Sequence, residues 1–234
     1  MAKQTAIVTG AAGNLGQAVV QNFLNHGLTV AGTVLAHEHD RVNNFDNTPD
    51  FQKYEVDVTN EDAAKQLVSQ VIQKNGTIDV AALLVGGFAM GNLQQTRGEH
   101  LRKLFSLNFE SAFYLAREIF AQMATQATGG HIFLVGARPA LMPEAGKDMM
   151  AYALSKSLIF EFAKMLNAEG KKKNIVTSVI VPSILDTPQN RSAMPNANFT
   201  DWVKPEEVAE IMYFTLSEKA KVLREPIIKV YGNA

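Results

Sequence analysis

Seven short apolar runs recur along the chain, and most are continuous rather than alternating. TAIVTG (5–10), IDVAALLVGG (78–87), HIFLVG (131–136) and IVTSVIVP (175–182) carry no polar side chain at every second place. A strand with one wet face alternates, so continuous runs mean burial on both faces. Between the runs lie amphipathic stretches with helical spacing, such as Asn14 to His26 with Leu15, Val19, Val20 and Phe23 on one face. Strands buried on both faces and separated by helices predict an α/β fold. The economical arrangement is one doubly wound, Rossmann-type domain over 1–234, with a mostly parallel seven-stranded sheet and helices on both sides. The carboxyl ends of its strands then form the ligand crevice.

The remaining runs are LTVAGTV (28–34), YEVDVT (54–59) and PIIKVYG (226–232). His37 to Phe51 is polar and reads as a loop or a weak helix. Asn60 or Thr59 caps a helix from about Glu61 to Lys74, and Asn75-Gly76 ends it. A long helix is predicted from His100 to Gln126 and another from Met150 to Glu169. Lys204-Pro205-Glu206-Glu207 opens a last helix, with proline and acids in the first turn.

Bulk composition narrows the partners. In 234 residues the formal net charge is −1, which argues against a nucleic-acid surface. The chain has no cysteine, which excludes disulfides, thiolate metal sites and cysteine nucleophiles. The longest apolar run, 80–90, is too short to cross a bilayer, and MAKQTAIVTG lacks a signal pattern. A cytoplasmic protein with a small-molecule substrate and no membrane partner is expected.

TGAAGNLG (9–16) follows a strand and opens a helix, the setting a phosphate-binding glycine turn requires. Gly10 permits the tight turn, Gly13 lets backbone approach a pyrophosphate, and Gly16 allows close packing of the helix. The helix N-terminus then holds the negative charge. A dinucleotide is expected here, NADPH or NADH. An acid at the end of the second strand would bond a ribose 2′-hydroxyl, but Val34-Leu35-Ala36 supplies none. His37, His39 and Arg41 lie within reach of a 2′-phosphate, yet read more readily as solvated loop residues. His37-Glu38-His39 lacks other clustered ligands, and no metal is expected.

Tyr152 and Lys156 share one helix face at i and i+4. An ammonium beside a phenol favours the phenolate and lowers its pKa, so such a tyrosine passes protons near neutral pH. A tyrosine in the core with a surface lysine would show the same spacing. Asn108, inside SLNFESAF, is polar in an otherwise apolar helical face and needs partners there.

These motifs together resemble the short-chain dehydrogenase/reductase family, over essentially the whole chain. The resemblance rests on TGAAGNLG, the DVT at 57–59, Asn108, YALSK (152–156) and VPSILDTP (181–188). It implies that Tyr152 donates or accepts the proton, that Lys156 holds the nicotinamide ribose and lowers the pKa of Tyr152, and that Asn108 supports a water-linked proton path. The implied cofactor contacts are Gly10, Gly13, Asn14, Leu15 and Gly16 at the turn. Asp57 by the adenine, Val58, Gly86, Lys156, Pro182, and Thr187 near the nicotinamide amide and phosphates complete them. Gly87, Phe88, Ala137 and Asn190 would face substrate, with 183–203 as the loop that closes over it. The family's assembly through its two long helices implies a homodimer or homotetramer, and the apolar residues of LIFEFAKML (158–166) fit such an interface.

Four places depart from the family pattern. Asn14 stands where the middle glycine is usual, Leu83-Leu84-Val85-Gly86 replaces Asn-Asn-Ala-Gly, and Pro182-Ser183 replaces Pro-Gly. Most consequential, Gly136-Ala137 stands where a substrate-orienting serine is usual, and alanine cannot polarise a carbonyl. LLVGGFAMGN (83–92), LVGARPAL (134–141) and LDTPQNRSAMPNANFTDW (185–202) are similar to one branch, the dihydropteridine reductases, which also lack that serine. A quinonoid dihydropterin, conjugated and readily reduced, needs less activation than a ketone. The competing expectations are a ketone/alcohol oxidoreductase, with water, backbone or Ser183 orienting the carbonyl, and a non-catalytic NAD(P)-binding regulator.

Overall fold

The computed structural model describes residues 3–233. Seven strands form one sheet: β1 (Thr5–Val8), β2 (Thr29–Val34), β3 (Phe51–Glu55), β4 (Val80–Leu83), β5 (Gly130–Val135), β6 (Ile175–Pro182) and β7 (Ile227–Val230). Their order is β3-β2-β1-β4-β5-β6-β7, and every pairing is parallel. The expected "mostly parallel" sheet is therefore wholly parallel among the described residues. The central strands β1 and β4 are buried at every residue, as their unbroken apolar runs require.

Helices cover both faces. α1 (Asn14–Asn25) and, late in the chain, a helix at Pro205–Leu216 pack on one face around Phe23, Val208 and Met212. The other face carries α2 (Glu61–Asn75), α3 (Gly98–Phe105), α4 (Ser111–Met123) and, beyond short α5 (Arg138–Leu141) and α6 (Pro143–Gly146), the long α7 (Met150–Gly170). Short α8 (Pro188–Ala193) precedes α9, the Pro205–Leu216 helix. Strand order reverses between β1 and β4, because β1 pairs with β2 on one side and β4 on the other. The loops leaving β1 and β4 diverge there and open the crevice.

Local chemistry sets the element ends. Asn60 caps α2 by accepting from Ala63 N at 2.9 Å, and Gly76 ends it at φ 82°. The third strand lies earlier than its apolar residues suggest, at Phe51–Glu55 rather than 54–59. Asp57 is the reason: its Oδ1 accepts from both the N–H and the hydroxyl of Thr59, which turns the chain out of the sheet. The polar segment after β2 is a 3-10 helix, Ala36–Phe45, anchored by buried Val42 and Phe45. The helix expected at 100–126 runs from Gly98 to Met123 but is broken in hydrogen-bond pattern by a π turn at Ser106–Glu110, with Asn108 inside it. α7 is fastened to β6 by buried Asn167, which donates to Thr177 O and accepts from Thr177 N, each at 2.8 Å.

Candidate active site

The glycine turn joins β1 to α1. Gly10 sits at φ +64°, where a side chain would be strained, and a Cβ at Gly16 would lie 2.0 Å from Gly10 O. Gly16 thus serves the turn itself: it presses against the Gly10 peptide. Thr33 on β2 holds the turn, its hydroxyl accepting from Gly10 N and its carbonyl from Ala11 N. Gly13 caps α1 without any side-chain hydrogen bond, and no acid sits in the first turn. The first-turn N–H groups and the positive helix end are thereby left for an anion. This cradle, closed to a Cβ at Gly16 and strained by one at Gly10, fits a dinucleotide pyrophosphate. Asn14 points its amide across the turn and donates to Gln189 Oε1 on α8 at 2.8 Å. A groove of about 730 Å3 runs beside the turn, lined by Asn14, Phe45, Thr187 and Arg191 among others; it flanks the cradle and does not reach Tyr152. Leu15 packs its side chain toward the α1–α9 core, and Val58 is buried in the opposite core, so what Val58 presents to a ligand is backbone.

Tyr152, Ser155 and Lys156 lie in the first two turns of α7, against the ends of β4 and β5. Lys156 is buried and donates from Nζ to Val135 O, the last carbonyl of β5, at 2.8 Å. Burial pushes Lys156 down to about 8 and Tyr152 up to about 12. The expected lowering of the tyrosine by the ammonium is not what the structure gives, because desolvation raises the phenol unopposed. Asn108 is buried and fully engaged. Its Oδ1 accepts from Gly87 N at 2.8 Å, and its Nδ2 donates to Gly87 O at 3.0 Å and Ser155 Oγ at 2.9 Å. Ser155 passes its own proton to Tyr152 O at 2.8 Å. Ser155 was not singled out from sequence; its place three residues after Tyr152, on the face shared with Lys156, was the available signal.

Gly86 and Gly87 lie directly over this network. A Cβ on Gly86 would stand 2.6 Å from Asn108 Oδ1 and 3.3 Å from Lys156 Nζ. Phe88 follows, 61% exposed, and meets the Tyr152 ring edge-on with centroids 5.0 Å apart. Backbone bonds from Gly91 N to Asp148 O and from Met150 N to Gly91 O clip this loop to the start of α7.

Neither position 137 nor Ser183 offers a free hydroxyl. Ala137 is buried and extended at the mouth of α5, and the preceding Gly136 has no room for a Cβ, which would lie 2.7 Å from Phe160 Cζ. Ser183, the alternative donor, spends its proton on Tyr231 O at 2.6 Å.

The 183–203 segment is ordered by its own contacts. Leu185 bridges Val203, Thr187 caps α8 through Asn190 N, and Asn190 Nδ2 donates to Leu185 O. Arg191 makes two bonds to Asp186 and lies over the Phe199 ring, which in turn meets Trp202. Pro182 ends β6 at the same edge. The structure thus brings Tyr152, Lys156, Asn108, Gly86, Gly87 and Phe88 together in one network, whereas Asp57 stands apart at the end of β3 and Asn190 spends its amide within its own loop.

The family model described as short chain dehydrogenase matches residues 4–198, and the chain belongs to that family. It is an NAD(P)-dependent oxidoreductase, using NADPH or NADH. An acetoacetyl-CoA reductase of Acinetobacter sp. (strain RA3849) is 24% identical over 249 residues, spanning 99% of this chain and 97% of the relative. A dihydropteridine reductase of Dictyostelium discoideum is 28% identical over 211 residues, spanning 88% and 85%. In fold, the chain matches the crystal structure of a blue fluorescent protein from a metagenomic library in complex with NADPH, with a TM-score of 0.89, 19% identity, and 99% and 98% coverage. Among the described residues no helix is long and apolar enough to cross a membrane, and no three His, Cys, Asp or Glu side chains cluster as metal ligands would.

Proposed function

We propose that the chain reduces a conjugated, electron-poor ring of the quinonoid dihydropterin kind, with Tyr152 as proton donor. The observation that carries this reading is that no free hydroxyl stands at the two places considered for it: position 137 is alanine, and Ser183 is turned to Tyr231 O. A ketone needs a second donor to stabilise charge on its oxygen as hydride arrives. A quinonoid ring spreads that charge over its own conjugated atoms. The 28% identity to a dihydropteridine reductase supports the same reading.

The reduced nicotinamide, when bound, supplies the hydride. Gly10, Gly13 and Gly16, with the open start of α1, hold the pyrophosphate. Asp57, the Gly86 backbone, Lys156, Pro182 and Thr187 serve the rest of the cofactor. Tyr152, raised to about 12, keeps its proton at neutral pH and offers it to the reduced ring. Lys156, anchored on Val135 O, has further N–H groups for the nicotinamide ribose. Asn108 positions the Gly86-Gly87 backbone, and Phe88 offers an exposed apolar face to a flat ring. Ketone reduction is the weaker reading because neither position 137 nor Ser183 supplies a free donor. A pure cofactor sensor has no use for Tyr152.

A homodimer or homotetramer accompanies this reading. Most apolar residues of 158–166 face the protein's own core, but Leu154, Leu158, Phe162 and Met165 form an outward stripe on α7 beside the Phe109 and Phe113 rings. Oxidation of NADH and NADPH with chemically generated quinonoid dihydropterin, set against a panel of ketones, tests the substrate reading. Rapid turnover of the pterin and slow turnover of every ketone is the expected result; the reverse order contradicts it.

A further inference from the structure

The residues that follow β7 reach both ends of the 183–203 segment. At its start, Ser183 N donates to Val230 O at 2.9 Å and Ser183 Oγ donates to Tyr231 O at 2.6 Å. At its far end, Asn233 N donates to Asp201 O at 3.2 Å. Gly232 stands between these anchors at φ +57°, and a Cβ there would lie 2.8 Å from Asp201 O. Glycine takes that bend without strain and lets the chain pass this close to Asp201. The Tyr231 ring also lies under the Arg138 guanidinium, 5.2 Å from centroid to Cζ, so the same residues touch the mouth of α5 beside Ala137. The segment they hold is a closed loop on a short stem. Val203 N donates to Ile184 O at 3.0 Å, and Asp186 N donates to Val203 O at 2.8 Å. Beyond the stem, α8 and the 3-10 turn Phe199–Asp201 bury no residue, and Gln189 of α8 meets the glycine turn at Asn14. A loop with so few buried side chains opens locally at low cost, so what fastens its ends governs how often it opens.

We propose that residues 231–233 are a clasp on this loop and that its release gates exchange of the dinucleotide. The clasped loop holds α8 against the turn that cradles the pyrophosphate; the unclasped loop lifts α8 away and lets the cofactor leave. Ser183 and Gly232 are the positioning residues, one for each end of the loop. The inference rests on the family's use of a nicotinamide dinucleotide and on the pyrophosphate's place at the glycine turn. It is independent of the substrate.

Two variants of the full chain test it. Ser183→Ala deletes the hydroxyl bond at the start of the loop, and Gly232→Ala forces the chain away from Asp201 at the far end. Two rates are read in each: trypsin cleavage after Arg191, which lies in α8, and dissociation of NADH and of NADPH, followed by their fluorescence in stopped flow. Cleavage of a native chain tracks the population of the open form. Both rates are expected to rise about five-fold in each variant, the shift that one lost hydrogen bond gives an opening equilibrium. Cleavage at other sites should stay at the wild-type rate. Unchanged cleavage after Arg191 in both variants overturns the inference. So does faster cleavage at every site, which would mean lost global stability rather than an opened loop. Faster cleavage after Arg191 with unchanged cofactor dissociation overturns it too, because the loop would then open without gating the cofactor. Acceleration in one variant alone contradicts a clasp, since the two ends would be acting separately.

Discussion

Asn108 grips Gly87 by both ends of its carboxamide, accepting from Gly87 N at 2.8 Å and donating to Gly87 O at 3.0 Å. This is the pairing one strand offers another, made here by a side chain buried inside a π turn. It fixes the height of the Gly86-Gly87 backbone above Lys156 and sets Phe88 against Tyr152.

Asn108→Ala leaves the Gly87 peptide and the Ser155 hydroxyl without their partner. Losing buried partners of this kind costs about 1–3 kcal/mol, read as a lowered urea midpoint. Turnover is expected to fall further than stability explains, because the loop that positions Phe88 is released. A variant with lowered stability and unchanged kcat would make Asn108 a purely structural residue.

Gly86→Ala drives a Cβ to 2.6 Å from Asn108 Oδ1, so the carboxamide must move. The two substitutions break one arrangement. Gly86→Ala combined with Asn108→Ala should therefore lose less than the sum of the single losses, by about 0.5 kcal/mol or more. Strict additivity in denaturation would show that the glycine and the asparagine act separately.

Alkaline pH separates the two titrating groups of α7. Lys156 at about 8 loses its charge well before Tyr152 at about 12 loses its proton. If the ammonium is the working form, kcat/KM falls as pH rises through about 8, while the phenol remains protonated. A profile flat to pH 9.5, at roughly one and a half units above that value, would place the lysine outside the rate-determining proton chemistry.

His131 predicts acid sensitivity away from the site. Burial, reinforced by the Arg224 charge, pushes it down to about 3 from an ordinary 6.5. Between these values the unfolded chain binds a proton that the folded chain does not. Its contribution to stability is thus whole above pH 6.5 and is lost as pH falls toward 3, at up to about 1.4 kcal/mol per pH unit. His131→Gln, which can still meet Ser178 Oγ, should shift the acid unfolding midpoint downward; an unmoved midpoint contradicts the assignment.

The sheet was legible because β1, β4 and β6 are short, largely apolar runs without strict alternation, and the phosphate turn because Gly10 and Gly16 answer a steric demand within one loop. What escaped sequence depends on side chains folding back. Val56 and Val58 continue a strand pattern that Asp57 interrupts by capturing Thr59. The π turn is invisible in a helical periodicity that continues on either side of it. Glu38 lies beyond the strand end, and the turn of the 3-10 helix folds its carboxylate back onto Leu35 N. The pairing of Tyr152 with Lys156 was legible as a motif, but the sign of the tyrosine shift was not, because burial rather than the neighbouring charge decides it.

In the proposed reaction Tyr152 alone supplies the proton, while the substrate's conjugation does what a second hydroxyl does elsewhere. Single-turnover oxidation of NADH by quinonoid dihydropterin, followed in wild type, Tyr152→Phe and Ala137→Ser, measures this directly. Fast reduction in wild type, a loss of about 100-fold or more in Tyr152→Phe, and little gain for the pterin in Ala137→Ser are expected. Wild-type turnover that survives in Tyr152→Phe, or that requires the serine restored at position 137, would contradict it.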